Sequence, residues 1–103
     1  MRVEISAEAE RDLEAIGDHI AHDNPRRAIS FLRELRARGL DLAGMAEAFP
    51  LVPRYAAVGV RRRLHGAYLI FYRIEAERIV IVHILHGAMD YASILFPEND
   101  GID

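Results

Sequence analysis

The stretch with the clearest potential for chemistry is residues 59–74, GVRRRLHGAYLIFYRI, where Arg61, Arg62 and Arg63 precede an apolar run. From Arg54 to Arg73 there are five arginines and no acidic residue, although the whole chain carries a formal charge of −3. Guanidinium groups bind carboxylates and phosphates through paired hydrogen bonds. The arginines therefore indicate either a cationic patch for an acidic partner or phosphates, or a row of charges that protects an edge strand from aggregation. The sequence leaves these alternatives open.

Two histidines lie in the last apolar run of the chain. His83 and His86 are three residues apart, so in a strand they point to opposite faces and cannot both ligate one ion directly. We interpret His83, which regular alternation places with Ile79 and Ile81, as a hydrogen-bonded, half-buried side chain. His86 closes the run just before Gly87, a position from which a side chain can be presented to a partner.

Other catalytic chemistry finds little support in the sequence. There is no cysteine, so disulfides, thiol catalysis and zinc–thiolate sites are excluded. There is also no phosphate-binding glycine loop, no G-x-S-x-G and no H-E-x-x-H. The net charge argues against broad nucleic-acid affinity, and we expect no direct sequence-specific nucleic-acid binding. Since no run approaches 18 apolar residues, we expect no membrane association, and the absence of cysteine fits the cytoplasm.

The first half of the chain predicts one strand and two helices. Residues 1–5 alternate apolar and polar types, and Ser6 follows as a helix N-cap. An apolar stripe of helical period then leads to Asn24 and Pro25, which end the first helix and start the second. The spacing predicts a second helix that continues to just before Pro50, with a loosened region near Gly39 or Gly44. The short connection makes the two helices an antiparallel hairpin.

The second half predicts three strands, AVGVRRRLH, AYLIFYRI and RIVIVHILH, joined by connections too short for parallel crossovers. The last of them is apolar on both faces, which predicts a central position in the sheet. The expected fold is α+β: an N-terminal strand, an antiparallel helix hairpin and a three-stranded antiparallel meander, with the helices on one sheet face. We expect residues 1–96 to form a single domain and residues 97–103 to be an acidic, flexible tail.

This arrangement resembles the RelE/ParE superfamily of bacterial type II toxins. The segment SAEAERDLEAIGDHIAHDNPRRAISFLREL is similar to the N-terminal helical hairpin of that family. VRRRLHGAYLIFYRI followed by IVIVHILHGAMD resembles its three-strand core and its closing histidine-glycine-x-x-aspartate motif. The resemblance covers about residues 1–96 and departs from the pattern at Met89, where many relatives carry arginine. It implies a toxin neutralised by a cognate antitoxin, with which it forms a hetero-oligomer.

The resemblance also separates the two branches of the superfamily. Relatives that cleave messenger RNA carry an arginine after the tyrosine that opens the third strand, basic residues after the fourth strand, and often a C-terminal tyrosine or histidine. The corresponding residues here are Leu69, Ala88, Met89 and Leu95. Leucine can neither stabilise a charged phosphorane nor transfer a proton. The chain therefore resembles the ParE branch, whose members inhibit DNA gyrase by protein–protein contact, and we expect no catalytic residue, cofactor or metal.

Two alternatives follow from the same resemblance: a ribosome-dependent endoribonuclease with a rearranged set of Arg61, Arg73 and His86, and a binding domain of the same fold that is not toxic. For the ParE-like function, a ParD-like antitoxin is expected to dock on the helix hairpin and the neighbouring sheet. The candidate partner-binding residues are Ala28, Phe31, Leu32, Arg61, Arg62, Arg63, Arg73 and His86. Arg61 is the leading candidate among the arginines, because it resembles the family's recurring arginine after a valine. Phe31→Asp is expected to weaken antitoxin binding while leaving the domain folded.

Overall fold

The order of elements in the structure, a computed structural model, follows the sequence expectation closely. The structure describes residues 1–97, so the predicted tail lies outside it except for Pro97. The elements are β1 (Arg2–Ile5), α1 (Ala7–Asp23), α2 (Pro25–Leu40), β2 (Val60–His65), β3 (Tyr68–Glu75), β4 (Arg78–His86) and α3 (Tyr91–Leu95). Short 3-10 turns occur at Asp41–Gly44 and Ala56–Val58. Within residues 1–97 no helix is long and apolar enough to cross a membrane.

Both predicted helix caps of the hairpin are confirmed. The Ser6 hydroxyl accepts from the Ala9 amide at 3.0 Å, and the Asn24 side chain accepts from the Arg27 amide at 3.1 Å. The two helices approach closely where α1 has Gly17, because a Cβ there would lie 2.7 Å from Leu32 Cδ1. Glycine at this point lets the Leu32 side chain fill the notch between the helices.

The prediction that the second helix continues to just before Pro50 is wrong, because α2 ends at Leu40. In a continuous helix the Arg38 carbonyl would accept an amide four residues later. In this structure it accepts from the Arg63 guanidinium at 2.9 Å, and the Ala46 carbonyl accepts from the Tyr72 hydroxyl at 2.6 Å. Arg63 thus binds a carbonyl that a longer helix would use internally, Tyr72 holds a carbonyl of the non-helical segment that follows, and Gly39 and Gly44 lower helix propensity in the same region.

The four strands form one sheet in the order β1-β4-β3-β2. β2, β3 and β4 make the predicted antiparallel meander, and β1 pairs with β4 in parallel. The central position expected for β4 is therefore confirmed, with β1 on one side and β3 on the other. β1 and β2 are the edge strands.

The sheet carries a hydrophobic core on each face. The helix hairpin covers one core, in which Leu35, Ile70 and Tyr72 are fully buried. The opposite face holds a second, smaller core, which includes Val60, Phe71 and Phe96. Parts of the 50–58 segment and of α3 pack against this smaller core, since Val52, Tyr55 and Tyr91 contribute to it. The helices thus cover one face as predicted, while the second face is only partly covered.

A bulge in β4 interrupts the regular alternation that was used to place His83. Phe71 pairs with His83, but the next residue of β3, Tyr72, pairs with Ile81, so Val82 is an extra residue. A bulge shifts the alternation of the strand beyond it. Ile84 therefore belongs to the hairpin-side core. Regular alternation could not predict this change.

Candidate partner-binding surfaces

The structure divides the three consecutive arginines between the two faces of β2, as strand alternation predicted. Arg61 and Arg63 point to the helix side, where Arg61 Nη1 donates to the Phe49 carbonyl at 2.7 Å. Arg62 points to the other side, where its Nη1 donates to the Tyr91 hydroxyl at 2.8 Å. Across residues 1–97, no carboxylate lies within ion-pair distance of any of the three guanidinium groups. Their surroundings are thus different, and so are the roles that they can have.

Arg61, Arg63 and Tyr72 bind three backbone carbonyls of the segment around the end of α2, and we call this set of contacts the carbonyl clamp. Arg63 also lies over the Phe49 ring, with its guanidinium carbon 4.7 Å from the ring centroid. Burial raises the pKa of the Tyr72 phenol above its ordinary value, so the phenol remains a donor at neutral pH. The clamp fixes residues 38–49, which have little regular structure after Gly44, onto the sheet. Two of the three arginines therefore have an evident internal function.

Arg62 lies between two adjoining depressions on the face away from the hairpin, with volumes of about 360 and 520 Å³. Both are lined by Arg62 and Tyr91, and together we call them the Arg62 cleft. Pro50, Leu64 and Leu69 give one part apolar walls, and Arg54 and Asp90 line the other part beside Val52 and Tyr55. Leu64 is 66% exposed on the edge strand. The sequence analysis did not single out Tyr91, because α3 has only five residues and too little periodicity to place it.

The helix-hairpin candidates are less accessible than the sequence indicated. Phe31 is 8% exposed and Ala28 is 5% exposed, and Phe31 belongs to the hairpin-side core instead of lying beside it. The Phe31 ring centroid lies 5.5 Å from that of Tyr68 and 5.4 Å from that of His65. Leu32 is half-buried against α1. A docking role for these residues stays a prediction, but their side chains offer little area to a partner.

His86 lies at the end of β4, as predicted, and its ring meets the Tyr68 ring edge-on at a centroid distance of 5.2 Å. Its Nδ1 accepts from the Ala88 amide at 3.0 Å, which leaves the proton of the neutral ring on Nε2. His86 also lines a mostly apolar depression of about 230 Å³ with Ile16, His19, Met89 and other residues of α1 and β4. His86 is thus available to a partner, although its ring is held by local contacts.

Arg73 lies near the end of β3, whereas His86, on β4, pairs with the first residue of β3, Tyr68. Tyr68, which His86 contacts, and Arg73 are five residues apart on the strand, or roughly 17 Å at about 3.3 Å per residue. Arg73 pairs with Glu75, its Nε donating at 3.0 Å, and Arg61 binds the Phe49 carbonyl. The structure therefore does not bring Arg61, Arg73 and His86 together into one site.

Asp12 has a structural role that the sequence analysis missed. Its Oδ2 accepts from the Ile84 amide at 2.9 Å and lies 2.7 Å from His83 Nδ1. His83 is therefore the half-buried, hydrogen-bonded histidine that was expected, and its partner is a carboxylate of α1. The available signal was spacing, because Asp12 lies four residues before the buried Ile16.

Glu34 connects α2 to the edge strand through an ion pair with Arg27 and a hydrogen bond with His65. Arg27 Nη1 lies 2.6 Å from its carboxylate, and His65 Nε2 lies 2.9 Å from it. The hydrogen bond from Arg27, followed by that from His65, lowers the pKa of Glu34 from 4.5 to about 2. Pairing with arginines also lowers the pKa of Glu4, Glu10 and Glu75.

We expect the thermal stability of the protein to fall as the pH drops from about 4.5 towards 2. The pKa of Glu34 is lower in the folded state than in the unfolded chain, so its contribution is present above pH 4.5 and is lost through this window. Thermal melting between pH 2 and 7 should show a shallower decline for Glu34→Gln than for the wild type, and Glu47→Gln, on an exposed residue, is the control. Equal declines in all three proteins would contradict this role of Glu34.

Comparison with known proteins places this geometry in a family. A family model described as the ParE toxin of the type II toxin–antitoxin system parDE matches residues 3–91. The chain belongs to the ParE toxin family. The fold is similar to that of a chain from the chromosomal ParDE toxin–antitoxin system of P. aeruginosa. The two sequences are 22% identical, and the structures align with a TM-score of 0.70 over 84% of this chain and 95% of that one. None of the curated protein sequences matches the chain significantly.

A second solved structure is also similar to this chain. A chain of the toxin–antitoxin complex RelBE2 from Mycobacterium tuberculosis is 26% identical, with a TM-score of 0.60, over 82% of this chain and 95% of that one. In the present chain, Leu69 follows the tyrosine that opens β3. Leu69 is 9% exposed and belongs to the smaller core. Met89, by contrast, is largely exposed beside the mouth of the His86 depression.

Proposed function

We propose that the chain is a ParE-like toxin that inhibits DNA gyrase by protein–protein contact in the bacterial cytoplasm and is neutralised by a ParD-like antitoxin. The observation that carries this proposal is the burial of Leu69. Messenger-RNA-cleaving relatives have a cation at the corresponding position, and a buried leucine cannot stabilise the charge of a phosphoryl transition state. The match to the ParE family model supports the same branch.

The alternative is a RelE-like nuclease, for which the similarity to the RelBE2 complex is the favouring observation. The separation of Arg73 from His86 argues against the particular set Arg61, Arg73 and His86, because general acid–base catalysis requires groups within hydrogen-bond reach of the same substrate. The third alternative, a binding domain that is not toxic, keeps the same fold and an antitoxin but inhibits neither target.

Purified protein is expected to inhibit supercoiling by DNA gyrase and to leave ribosome-bound messenger RNA uncut. Both activities are measured on one preparation, with and without the product of the neighbouring antitoxin gene, which should restore supercoiling. Codon-specific cuts that disappear in His86→Ala or Arg73→Ala would overturn the proposal and favour the nuclease. Absence of both gyrase inhibition and messenger-RNA cleavage, together with antitoxin binding, would favour the binding domain.

A further inference from the structure

Arg62 differs from Arg61 and Arg63 because its guanidinium does not bind a backbone carbonyl of residues 38–49. Arg61 and Arg63 each donate to a carbonyl of the clamp, while the bond that Arg62 makes is to the Tyr91 hydroxyl. A guanidinium carries five N–H donors, so one bond leaves most of this group's capacity unused. Arg62 is also half-buried, which means that it has lost part of its hydration without gaining an anionic partner among residues 1–97.

The nearest acidic side chain of the Arg62 cleft does not supply that anion. Asp90 lines one part of the cleft, but its carboxylate caps α3 by accepting from the Ser93 hydroxyl at 2.6 Å and the Ser93 amide at 3.4 Å. The sequence from Arg54 to Arg73 contains no acid that could compensate. Within residues 1–97 the charge of Arg62 is therefore not compensated, and the cleft is complementary to a carboxylate of a partner.

The apolar walls of the cleft indicate which side chains of the partner lie next to its carboxylate. Leu64 is largely exposed beside Arg62, and Leu69, Pro50 and Tyr91 continue the apolar surface. Leu64 and Arg62 are two residues apart on one strand and so share a face. A complementary extended segment has a carboxylate side chain facing Arg62 and an apolar side chain about two positions away, facing Leu64.

We propose that the Arg62 cleft binds such an acidic and apolar segment of the antitoxin, and that Arg62 determines the specificity of this contact. This inference rests on the proposed function, because it assumes that the chain has a cognate antitoxin. It assigns the docking role to Arg62 instead of Arg61, the leading candidate from sequence. Arg61 and Arg63 act inside the toxin by holding residues 38–49 in place.

A protein segment fits the cleft better than a nucleic acid does. Phosphate backbones require several cations that neutralise charge together, and the chain as a whole is acidic. Arg61 and Arg63 point to the other face of the sheet, so they cannot extend the cationic surface of the cleft. Apolar walls around Arg62 and Arg54 suit a peptide, in which charged and apolar side chains alternate.

The test uses the full toxin chain and the purified antitoxin encoded beside it, with affinity measured by titration calorimetry or surface plasmon resonance. Arg62→Gln should weaken binding about tenfold or more, and Arg62→Glu should weaken it further, because a desolvated charge-assisted hydrogen bond is lost. Arg11→Glu, which makes the same charge change at a 69% exposed side chain on α1, is the matched control and should bind like the wild type. Arg61→Gln and Arg63→Gln should lower the melting temperature without changing the affinity of the folded protein.

Charge reversal distinguishes a docking role from a structural one. Arginine substitutions of individual antitoxin carboxylates should include one that restores the binding of Arg62→Glu, which a purely structural defect would not allow. Equal affinity of the wild type and the Arg62 variants would overturn this inference alone. Absence of antitoxin binding by the folded wild type would overturn the proposed function as well. Salt-sensitive binding of any DNA or RNA that depends on Arg62 would assign the cleft to nucleic acid and also overturn the inference.

Discussion

Phe31→Asp is expected to unfold most of the protein at physiological temperature. Replacing a buried phenylalanine by a small residue costs about 3–5 kcal/mol, and an aspartate adds the desolvation of a carboxylate that would lie beside Glu34. Small domains have a total stability of about 5–15 kcal/mol, so the loss is a large part of the whole. Phe31 packs on Tyr68 and His65 and lies under Arg27, which approaches its ring to 5.0 Å. This outcome differs from the expectation drawn from the sequence, which was a folded variant with weakened antitoxin binding.

Urea titration followed by circular dichroism measures this effect directly. Ile29→Asp is the matched control, because Ile29 lies on the same helix and is 57% exposed. The control should remain within about 0.5 kcal/mol of the wild type, as is usual for surface substitutions. A folded Phe31→Asp protein with nearly wild-type stability would show that the ring is not part of the core in solution.

Asp12→Ala is expected to destabilise the protein by about 2–4 kcal/mol. The variant leaves the Ile84 amide and the half-buried His83 without the acceptor that they share, and bonds to charged groups contribute about 1.5–3 kcal/mol each. The contact joins α1 to β4 just after the bulge at Val82, where the strand has no β1 partner. Amide hydrogen exchange should therefore show faster exchange at Ile84 in addition to the lower global stability.

Asp18→Ala is the control for Asp12→Ala, since Asp18 is an exposed acid of the same helix. It should change the free energy of unfolding by less than about 0.5 kcal/mol. If both variants lost the same small amount, the carboxylate of Asp12 would have no special role in holding α1 on the sheet.

The sequence predicted those parts of the fold that depend on local patterns. Ser6 and Asn24 are recognisable as caps because their side chains act within three residues, and the apolar character of β4 revealed its central position. The end of α2 could not be predicted in this way. It depends on Arg63 and Tyr72, which reach carbonyls 25 and 26 residues distant in the chain, and residue types do not reveal such pairings.

The candidate sites were predictable to a similar extent. Alternation correctly separated Arg62 from Arg61 and Arg63, but it gave no information on what each guanidinium meets. The extra residue at Val82 interrupts the alternation of β4 before His83, and no residue type in β4 marks a bulge. The sequence did not reveal that Phe31 is buried, because this depends on the close helix contact at Gly17, which turns Leu32 towards α1 and leaves Phe31 over the sheet.

The parallel pairing of β1 with β4 has a consequence for the synthesis of the protein on the ribosome. The Ser6 hydroxyl binds the Val82 carbonyl, 76 residues later in the chain, so the first strand must wait for almost the whole domain to be translated. At about 5–20 residues per second this delay lasts roughly 4–15 s. During that time the growing chain lacks a completed sheet, and the N-terminal strand has no partner. A chain of this topology therefore cannot complete its sheet until translation nears its end, and any function that requires the folded sheet begins only then.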